Sequence, residues 1–362
     1  MVFKNIERYP LEIFSTTTHF ENSDSPSVAL YSSRFLMVDR NYIIQKKLNA
    51  WFRNHGRHDL PWRTTFSPYE VLVSEFMLQQ TTVATITPRF LIWMELFPTL
   101  EMLAQASEEA VLGAWQGLGY YSRARRLHLV AKTVVSNFQG KIPRDLDQLL
   151  ALPGIGPYTA KALLAFAFDQ PVEVLDTNII RVIARLNNIT EPIDTKRGHL
   201  LIKESARNIL PPKNGRVFAS ALMDLGSMVC KSGEPLCDAC PLSSECEAEE
   251  PSCLPRKQPR VAITKKKEQR AFYYRRNKIY LEKSQGPLWK GLWILPHCSS
   301  VQKPREIFSS ITYPITRYRV TMELYRPSGS IPKSLHPFSI LELKNIAIPS
   351  PHRKALETCF AK

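Results

Sequence analysis

The 362-residue sequence contains no long hydrophobic run and no leader-like start. No stretch approaches the roughly 18 consecutive apolar residues that a membrane helix needs. Polar and acidic residues interrupt the first forty positions, so the charged-then-apolar pattern of a secretory signal is missing. These absences argue against a helical membrane protein and a secreted one. They predict a cytoplasmic protein, or a nuclear one if the source is eukaryotic.

Acidic residues are scarce in the last third of the chain. Residues 255–362 carry 22 Lys and Arg against 6 Asp and Glu, whereas residues 1–254 carry 26 against 27. The net charge of +15 therefore belongs to the C-terminal part. An excess that covers a whole predicted domain favours polyanion binding over a solvated basic surface. We therefore expect nucleic acid as the partner.

Cysteine is sparse outside one cluster. Four of the seven cysteines lie within 17 residues in the pattern Cys-x6-Cys-x2-Cys-x5-Cys: Cys230, Cys237, Cys240 and Cys246. Such a cluster in a cytosolic protein predicts a bound metal and not a disulfide framework. Four thiolates suit either tetrahedral zinc or an iron–sulfur cluster, and the spacing alone leaves both open.

Hydrophobic periodicity divides the chain into segments. One long segment has apolar residues at helical spacing and almost no strand-like alternation, which predicts an all-α domain. A later segment alternates apolar and polar residues, which predicts strands in an α+β domain. The expected organisation is a poorly ordered extension (1–40), an all-α domain (41–229), a cysteine loop (230–250), a basic Pro-containing linker (251–270) and an α+β domain (271–362).

A turn bounded by glycines precedes one of the predicted helices. Gly154 and Gly156 permit positive φ and close approach of a ligand to the backbone, and Pro157 suits the first helical position. Backbone N–H groups at such a turn, with a helix N-terminus behind them, form an anion site. We therefore expect Gly154 and Gly156 to bind a phosphate.

Two carboxylates are candidates for chemistry. Glu75 lies in an almost entirely apolar helical stretch, where burial would raise its pKa, although an exposed stripe is the simpler interpretation of this residue alone. Asp176 precedes a predicted helix, and N-capping of that helix is the simpler interpretation of this residue alone, although the same position would keep a functional carboxylate ionised. If both residues are functional, one carboxyl is protonated and one is ionised. That division is typical of acid-assisted departure of a leaving group through an oxocarbenium-like state.

Several motifs resemble a known family. The hairpin, Asp176 and the cysteine spacing resemble the helix-hairpin-helix DNA glycosylases that carry a 4Fe-4S cluster. Further motifs look like the adenine DNA glycosylases of the MutY type: Leu60-Pro61-Trp62-Arg63, Ser74-Glu75-Phe76-Met77-Leu78-Gln79-Gln80-Thr81, Gly117-Leu118-Gly119-Tyr120-Tyr121-Ser122-Arg123 and Met223-Asp224-Leu225-Gly226. The likeness covers residues 42–246.

This resemblance implies a fold, a cofactor and a reaction. It implies a monomer with two helical subdomains beside a DNA-facing cleft, and a 4Fe-4S cluster on the four cysteines. Adenine opposite 8-oxoguanine or guanine in duplex DNA would be flipped out and removed, which leaves an abasic site. Glu75 would protonate adenine N7 and help to activate water, Asp176 would stabilise the sugar cation, and Asn178 would lie beside it.

The resemblance also predicts which residues contact DNA, and it predicts that the enzyme has no lyase activity. Tyr158 stands where bifunctional relatives have a Schiff-base lysine, which implies a monofunctional enzyme. On sequence alone, the favoured interpretation of the segments around Gln80 and Tyr120 is an ordinary helix end and a glycine-rich turn. The resemblance instead places both residues in the duplex. The full set expected to contact DNA is Trp62, Arg63, Gln80, Tyr120, Gly154, Gly156 and Thr316.

The C-terminal part is more loosely similar to the MutT-like domain that reads 8-oxoguanine in this family. Gly291–Pro296 and Pro349–Lys354 carry this likeness, and no acidic Nudix helix is present. The family's Phe-Ser-His recognition loop aligns with Ile315-Thr316-Arg317. Only the hydroxyl of Thr316 is retained, so we expect weaker or different discrimination between 8-oxoguanine and guanine.

Two alternatives remain at this stage. One is a pyrimidine glycosylase with lyase activity, similar to endonuclease III; Tyr158 and the additional C-terminal domain argue against it. The other is a DNA-binding protein without catalysis; the presence of both Glu75 and Asp176 argues against it.

Overall fold

The computed structural model describes residues 26–259, 262–298, 307–327 and 329–360. The expected disorder of the N-terminal extension therefore concerns residues that lie, up to residue 25, outside the described part. The first helix begins at Pro26 and ends at His55, so the predicted boundary at residue 40 falls inside it.

The first region, up to residue 259, consists of helices and turns, and no strand occurs within its described residues. The α-helices are α1 (Pro26–His55), α2 (Pro61–Thr64), α3 (Pro68–Leu78), α4 (Val83–Leu96), α5 (Leu100–Gln105), α6 (Glu108–Ala114), α7 (Ser122–Phe138), α8 (Leu146–Leu150), α9 (Pro157–Ala162), α10 (Thr177–Leu186), α11 (Lys196–Asn208) and α12 (Gly215–Met228). A π-helical turn, Leu163–Ala167, continues α9. The predicted all-α region is confirmed.

One hydrophobic core supports these helices. Helix α3 lies at its centre and is buried on nearly every side, since Tyr69 and Val71 to Met77 are all buried. Burial of large side chains such as Trp93, Trp115 and Phe218 contributes about 1.5–3 kcal/mol each to folding. Within the described ranges, no helix is both long and apolar enough to cross a membrane.

The second region holds two small sheets and a closing helix. The strands are β1 (Thr264–Ala271), β2 (Tyr273–Arg275), β3 (Lys278–Lys283), β4 (Trp293–Ile294), β5 (Ser309–Ile315), β6 (Tyr318–Tyr325) and β7 (His336–Ser339), and the helix is α13 (Ser350–Phe360). One sheet has the order β1-β6-β5, with β1 parallel to β6 and β5 antiparallel to it. In the other, β3 pairs with β2, β4 and β7.

The basic linker is shorter than predicted. Residues 264–270, assigned to it from their charge, form most of β1 along β6, because backbone pairing tolerates lysine side chains that point to solvent. The preceding residues are also ordered against the helices. The backbone N–H of Ile193 donates to the carbonyl of Arg256 at 3.0 Å, and Leu254 is buried.

The two regions share an interface next to the start of α7. Leu292 of the second region is buried in the helical core. The Tyr121 hydroxyl donates to the carbonyl of Ile348 at 3.4 Å, and the Arg125 guanidinium donates to the carbonyl of Lys290. The sheet region thus packs directly against the segment that carries Tyr120.

Candidate active site and DNA-facing surface

A cavity of about 1150 Å³ opens where α3, α9, α10 and the residue 254–258 segment meet. Four residues predicted for catalysis line it together: Glu75, Tyr158, Asp176 and Asn178. About a hundred residues separate Glu75 from Asp176 in the sequence, so only the packing of the helices brings the two carboxyl groups to one space. The cavity is large enough to admit a nucleobase with its sugar, since typical small-ligand pockets measure about 300–1,000 Å³.

Glu75 is buried, with 5 % of its surface exposed. Burial raises the pKa of Glu75 to about 7; a hydrogen bond with the Tyr158 hydroxyl opposes this change, and the charge of nearby Asp176 adds to it. The exposed-stripe interpretation is therefore wrong. A carboxyl group that keeps its proton near neutral pH is suited to act as a general acid.

Tyr158 lies in the first turn of α9, beside Glu75. Burial, followed by the negative charges of Glu75 and Asp176, raises the pKa of the Tyr158 hydroxyl well above its usual range. The phenol therefore stays neutral and holds the carboxyl of Glu75 by a hydrogen bond. The nearby Lys161 has a different partner, since its Nζ lies 2.5 Å from Oε1 of Glu173.

Asp176 is the N-cap of α10, as its position predicts. Its Oδ1 accepts a hydrogen bond from the backbone N–H of Ile179 at 2.7 Å, and its Oδ2 accepts one from Nδ2 of Asn178 at 2.9 Å. Asn178 is held in turn by Nη2 of Arg181 at 2.9 Å. The N-terminus of α10 and the amide of Asn178 therefore each donate one hydrogen bond to the carboxyl group of Asp176.

Two arginines beside the cavity share one buried carboxylate. Nη1 of Arg63 donates to Oδ2 of Asp224 at 2.8 Å, and Nε of Arg57 donates to its Oδ1 at 2.9 Å. Burial alone would raise the pKa of Asp224, but Arg63 and Arg57 lower it below its usual range. The guanidinium of Arg63 is therefore committed to an internal ion pair, while Trp62 is 6 % exposed and packs edge-on against Phe90.

The glycine turn before α9 differs in part from the prediction. Gly154 has a φ of +82°, and a Cβ there would lie 2.9 Å from the side chain of Arg126. Gly156 has a φ of −95°, so the expected positive φ is confirmed only for Gly154. The side chain of Arg126, a residue for which the sequence contained no signal, packs beside Gly154, next to the turn where the sequence predicts a phosphate.

Two exposed tips flank the cavity side of the helical region. Gln80 follows the C-terminus of α3 with a φ of +58°, and Tyr120 precedes α7 with a φ of +45°. Tyr120 is 54 % exposed, and Gln80 is also exposed and lines the cavity. Both side chains are thus free to meet a ligand, and both are held on strained backbone.

The segment after the cysteines forms one wall of the cavity. The backbone N–H of Gln258 donates to Oδ1 of Asp194 at 2.9 Å, which fixes the chain beside α11. Lys257, between the two anchored residues Arg256 and Gln258, lines the cavity. The sequence predicted a basic linker here, but it contained no signal for the contribution of Lys257 to this wall.

The cysteine loop wraps the ends of α10 and α12. Burial raises the pKa of Cys240 to about 11, with smaller contributions from the other three thiols, so the four sulfurs lie near one another. Sγ of Cys230 accepts from Nη1 of Arg185 at 3.3 Å, and Nε of Arg181 donates to the Cys230 carbonyl at 2.7 Å. Among the described residues, no three His, Cys, Asp or Glu side chains are grouped closely enough to hold a single metal ion.

The predicted recognition residue Thr316 lies in the two-residue turn between β5 and β6. Ile315 pairs with Tyr318 across this hairpin, and Thr316 is exposed with a φ of +47°. The guanidinium of Arg317 lies 5.2 Å from the ring centroid of Tyr318, and Nζ of Lys266 lies 3.8 Å from it. The hairpin tip is therefore a basic and aromatic surface.

Comparison with known proteins identifies the family. The model of the HhH-GPD superfamily base excision DNA repair proteins matches residues 73–208. The adenine DNA glycosylase of Mycolicibacterium smegmatis is 43 % identical over 199 residues, which is 54 % of this chain and 67 % of that protein. The adenine DNA glycosylase of Buchnera aphidicola subsp. Baizongia pistaciae is 35 % identical over 253 residues, 68 % of this chain and 71 % of that protein.

Solved structures agree on the fold. A thermostable thymine-DNA glycosylase matches with a TM-score of 0.54 and 26 % identity, and the match covers 59 % of this chain and 97 % of that one. A trapped endonuclease III–DNA covalent intermediate matches with a TM-score of 0.50 at 24 % identity over 58 % of this chain and 95 % of that one, which bears on the fold alone. The helical fold and the extent of the sequence matches together show that this chain belongs to the adenine DNA glycosylases of the helix-hairpin-helix superfamily.

Proposed function

We propose that the protein is a monofunctional base-excision-repair glycosylase that removes adenine opposite 8-oxoguanine or guanine in duplex DNA. The observation that carries this proposal is the pair of carboxyl groups in one cavity. Burial keeps Glu75 protonated near neutral pH, whereas a helix N-terminus and Asn178 hold Asp176 by hydrogen bonds. This pairing suits acid-assisted loss of a base from a sugar that becomes cationic.

The cavity residues divide the reaction between them. The flipped nucleotide enters the cavity, and Glu75 gives its proton to N7 of adenine, which makes the base a better leaving group. Tyr158 orients the carboxyl of Glu75, which then takes a proton from the attacking water. The carboxylate of Asp176 faces the sugar and stabilises its positive charge until water adds.

The same residues support hydrolysis without strand cleavage. A lyase step needs an amine that attacks the sugar, and position 158 carries a phenol. Lys161 is bound to Glu173, which Arg207 also contacts at 3.1 Å, so its ammonium group is turned toward an ion pair. The product of this chain is therefore an abasic site.

We assign the four cysteines to a 4Fe-4S cluster. Their donor set is four thiolates with no histidine, which such a cluster takes. The spacing Cys-x6-Cys-x2-Cys-x5-Cys, which resembles that of the cluster-carrying glycosylases, favours the cluster over zinc. When bound, the cluster would hold residues 230–246 beside α10; it takes no part in the proton transfers above.

The sheet region supplies the proposed contact to the opposite base. We assign residues 271–362 to a MutT-like module whose β5–β6 turn presents the Thr316 hydroxyl to 8-oxoguanine. Its basic residues and the aromatic ring of Tyr318 favour contact with the phosphate backbone near that base.

One assay tests the function. The protein is incubated with duplexes that hold adenine opposite 8-oxoguanine, adenine opposite guanine, adenine opposite thymine, or an oxidised pyrimidine. We expect strand breaks only after alkali and only at adenine opposite 8-oxoguanine or guanine. Breaks without alkali at an oxidised pyrimidine would support the endonuclease III-like alternative, and tight binding without base release would support the non-catalytic one.

A further inference from the structure

A single buried guanidinium caps the C-terminal end of α3. Arg123 belongs to the first turn of α7, and 4 % of it is exposed. Its Nη1 donates to the carbonyls of Phe76 and Met77 at 2.9 Å each and to that of Gln79 at 2.5 Å. The last carbonyls of a helix have no partner within the helix, so a cation there stabilises its end.

The other nitrogen of the same guanidinium holds the second tip. Nη2 of Arg123 donates to the carbonyl of Leu118 at 2.8 Å and to that of Gly119 at 3.3 Å. The group also lies 5.3 Å from the ring centroid of Trp115 and 5.7 Å from that of Tyr120. Burial lowers the pKa of Arg123 to about 10, which still leaves the group cationic at neutral pH.

Both tips need this support. Gln80 and Tyr120 are exposed and have positive φ, a conformation that residues other than glycine keep only when their surroundings enforce it. Among the described residues, the side chain of Arg123 is the one that bonds to the backbone next to both: Gln79 on one side and Gly119 on the other.

We propose that Arg123 is a positioning residue that couples the two tips, so that Gln80 and Tyr120 enter the duplex as one unit. This inference rests on the proposed function, because it concerns how the adenine is extruded. The planar fork of a guanidinium reaches two sets of carbonyls at fixed angles, which the single ammonium of a lysine cannot do. Extrusion requires the stack to be opened and held open, and two tips that move together achieve this better than either one alone.

A double-mutant cycle on the two tips tests the coupling. The variants are Gln80→Ala, Tyr120→Ala and their combination, each in the wild-type and in the Arg123→Lys background. The readout is the rise in 2-aminopurine fluorescence when this base replaces the target adenine opposite guanine, at protein concentrations that saturate the duplex. Each single variant should reduce the rise in fluorescence by some factor. In the Arg123 wild-type background we expect the factor for the double variant to be about fivefold smaller than the product of the two single factors. In the Arg123→Lys background the losses should multiply.

Arg216→Lys serves as the matched control. The guanidinium of Arg216 donates to the carbonyls of Phe166 and Ala167 at 2.6 and 2.9 Å, at the end of the π-helical turn, and not to the backbone of either tip. We expect this variant to lose thermal stability and to retain the coupling.

Two results would overturn the proposal. One is independent action of Gln80 and Tyr120 in the wild-type background, a measurement that needs no Arg123 variant to fold. The other is unchanged coupling in a folded Arg123→Lys protein. Fluorescence reports extrusion without base release, so a wild type that opens the duplex but releases no adenine would refute the proposed function and leave the coupling intact.

Discussion

The helical region buries the carboxyl groups that are central to its cavity, whereas the sheet region keeps most of its positive charge at the surface. In the helical region the carboxyl of Glu75 and that of Asp224 are buried, and their pKa values are changed by burial and by neighbours. In the sheet region most of the positive charge faces solvent, for example at Lys266 and Arg317. Its buried Arg270 is neutralised, since its nitrogens lie 3.2 Å from Glu268 and 3.5 Å from Glu282.

This contrast predicts different kinds of sensitivity. Removal of one buried group in a low-dielectric site changes the free energy of the reaction by a large amount. An exposed charge is screened by salt and is one of many, so its removal changes the free energy of binding only a little. Changes in the helical cavity should therefore alter the chemical step by large factors. Changes on the sheet surface should alter DNA affinity, and the discrimination between 8-oxoguanine and guanine, by small factors.

The largest effect is expected for Glu75→Gln. Loss of a general acid slows the step it serves by roughly 10²- to 10⁴-fold. Single-turnover base release should fall by that amount, while duplex binding measured by anisotropy stays within about threefold. Glu70→Gln, in the first turn of the same helix, is the control and should release adenine at the wild-type rate. Substantial turnover by Glu75→Gln would remove Glu75 from the mechanism.

Loss of the cluster comes next. Cys240→Ser removes one of the four proposed cluster ligands, so it should abolish the broad visible absorbance of an iron–sulfur protein. Without the cluster, residues 230–246 lose their order, and we expect DNA binding to weaken about tenfold or more. Cys253→Ser changes an exposed cysteine outside the four and should retain both properties. Stoichiometric zinc and no iron in the purified wild type would contradict the 4Fe-4S proposal.

The pH dependence follows from the raised pKa of Glu75, about 7 against its usual 4.5. The acid form is lost as pH rises through 7, so base release should fall about tenfold per pH unit above that value. A flat rate between pH 6 and 9 would contradict this assignment.

The same pKa predicts a change in stability. Because the folded state holds the Glu75 proton more tightly than the unfolded chain, folding stability falls as pH rises from 4.5 to 7, and the cost persists above 7. Glu75→Gln lacks this cost, because its amide does not titrate. The difference in the free energy of unfolding, variant minus wild type, should therefore be larger at pH 8 than at pH 4 by on the order of 3 kcal/mol. Denaturant titrations at the two pH values measure this difference.

Lys257→Ala tests an intermediate case, an exposed cation at the wall of the buried site. Removal of one phosphate contact should weaken duplex binding about fivefold and reduce the salt slope by about one, with little effect on the single-turnover rate at saturation. A loss of rate without a loss of affinity would place Lys257 in the chemical step.

The smallest effect is expected at the hairpin tip. Thr316→Ala removes one hydroxyl from an exposed turn, so the preference for 8-oxoguanine over guanine opposite adenine should fall by about two- to threefold. Thr316→Ser retains the hydroxyl and should retain the preference. Competition between the two duplexes measures the ratio of the two affinities. An unchanged ratio in both variants would contradict the assignment of 8-oxoguanine recognition to Thr316.

Part of this protein follows from local sequence signals. Helical spacing, the position of Asp176 before α10, the positive φ of Gly154 and the alternation in β6 depend on neighbouring residues, which a single sequence displays. Tyr158 is equally informative, because the absence of an amine is a property of the residue type.

Other features were decided by tertiary structure. Sequence left open whether Glu75 was buried, placed Lys265 to Lys267 in a linker, and contained no sign of the Arg123 contacts. The pKa of a carboxyl depends on which distant groups exclude water from it and which charges lie near it. The same holds for a guanidinium that joins carbonyls more than forty residues apart, because distances across the fold are set only when the helices pack.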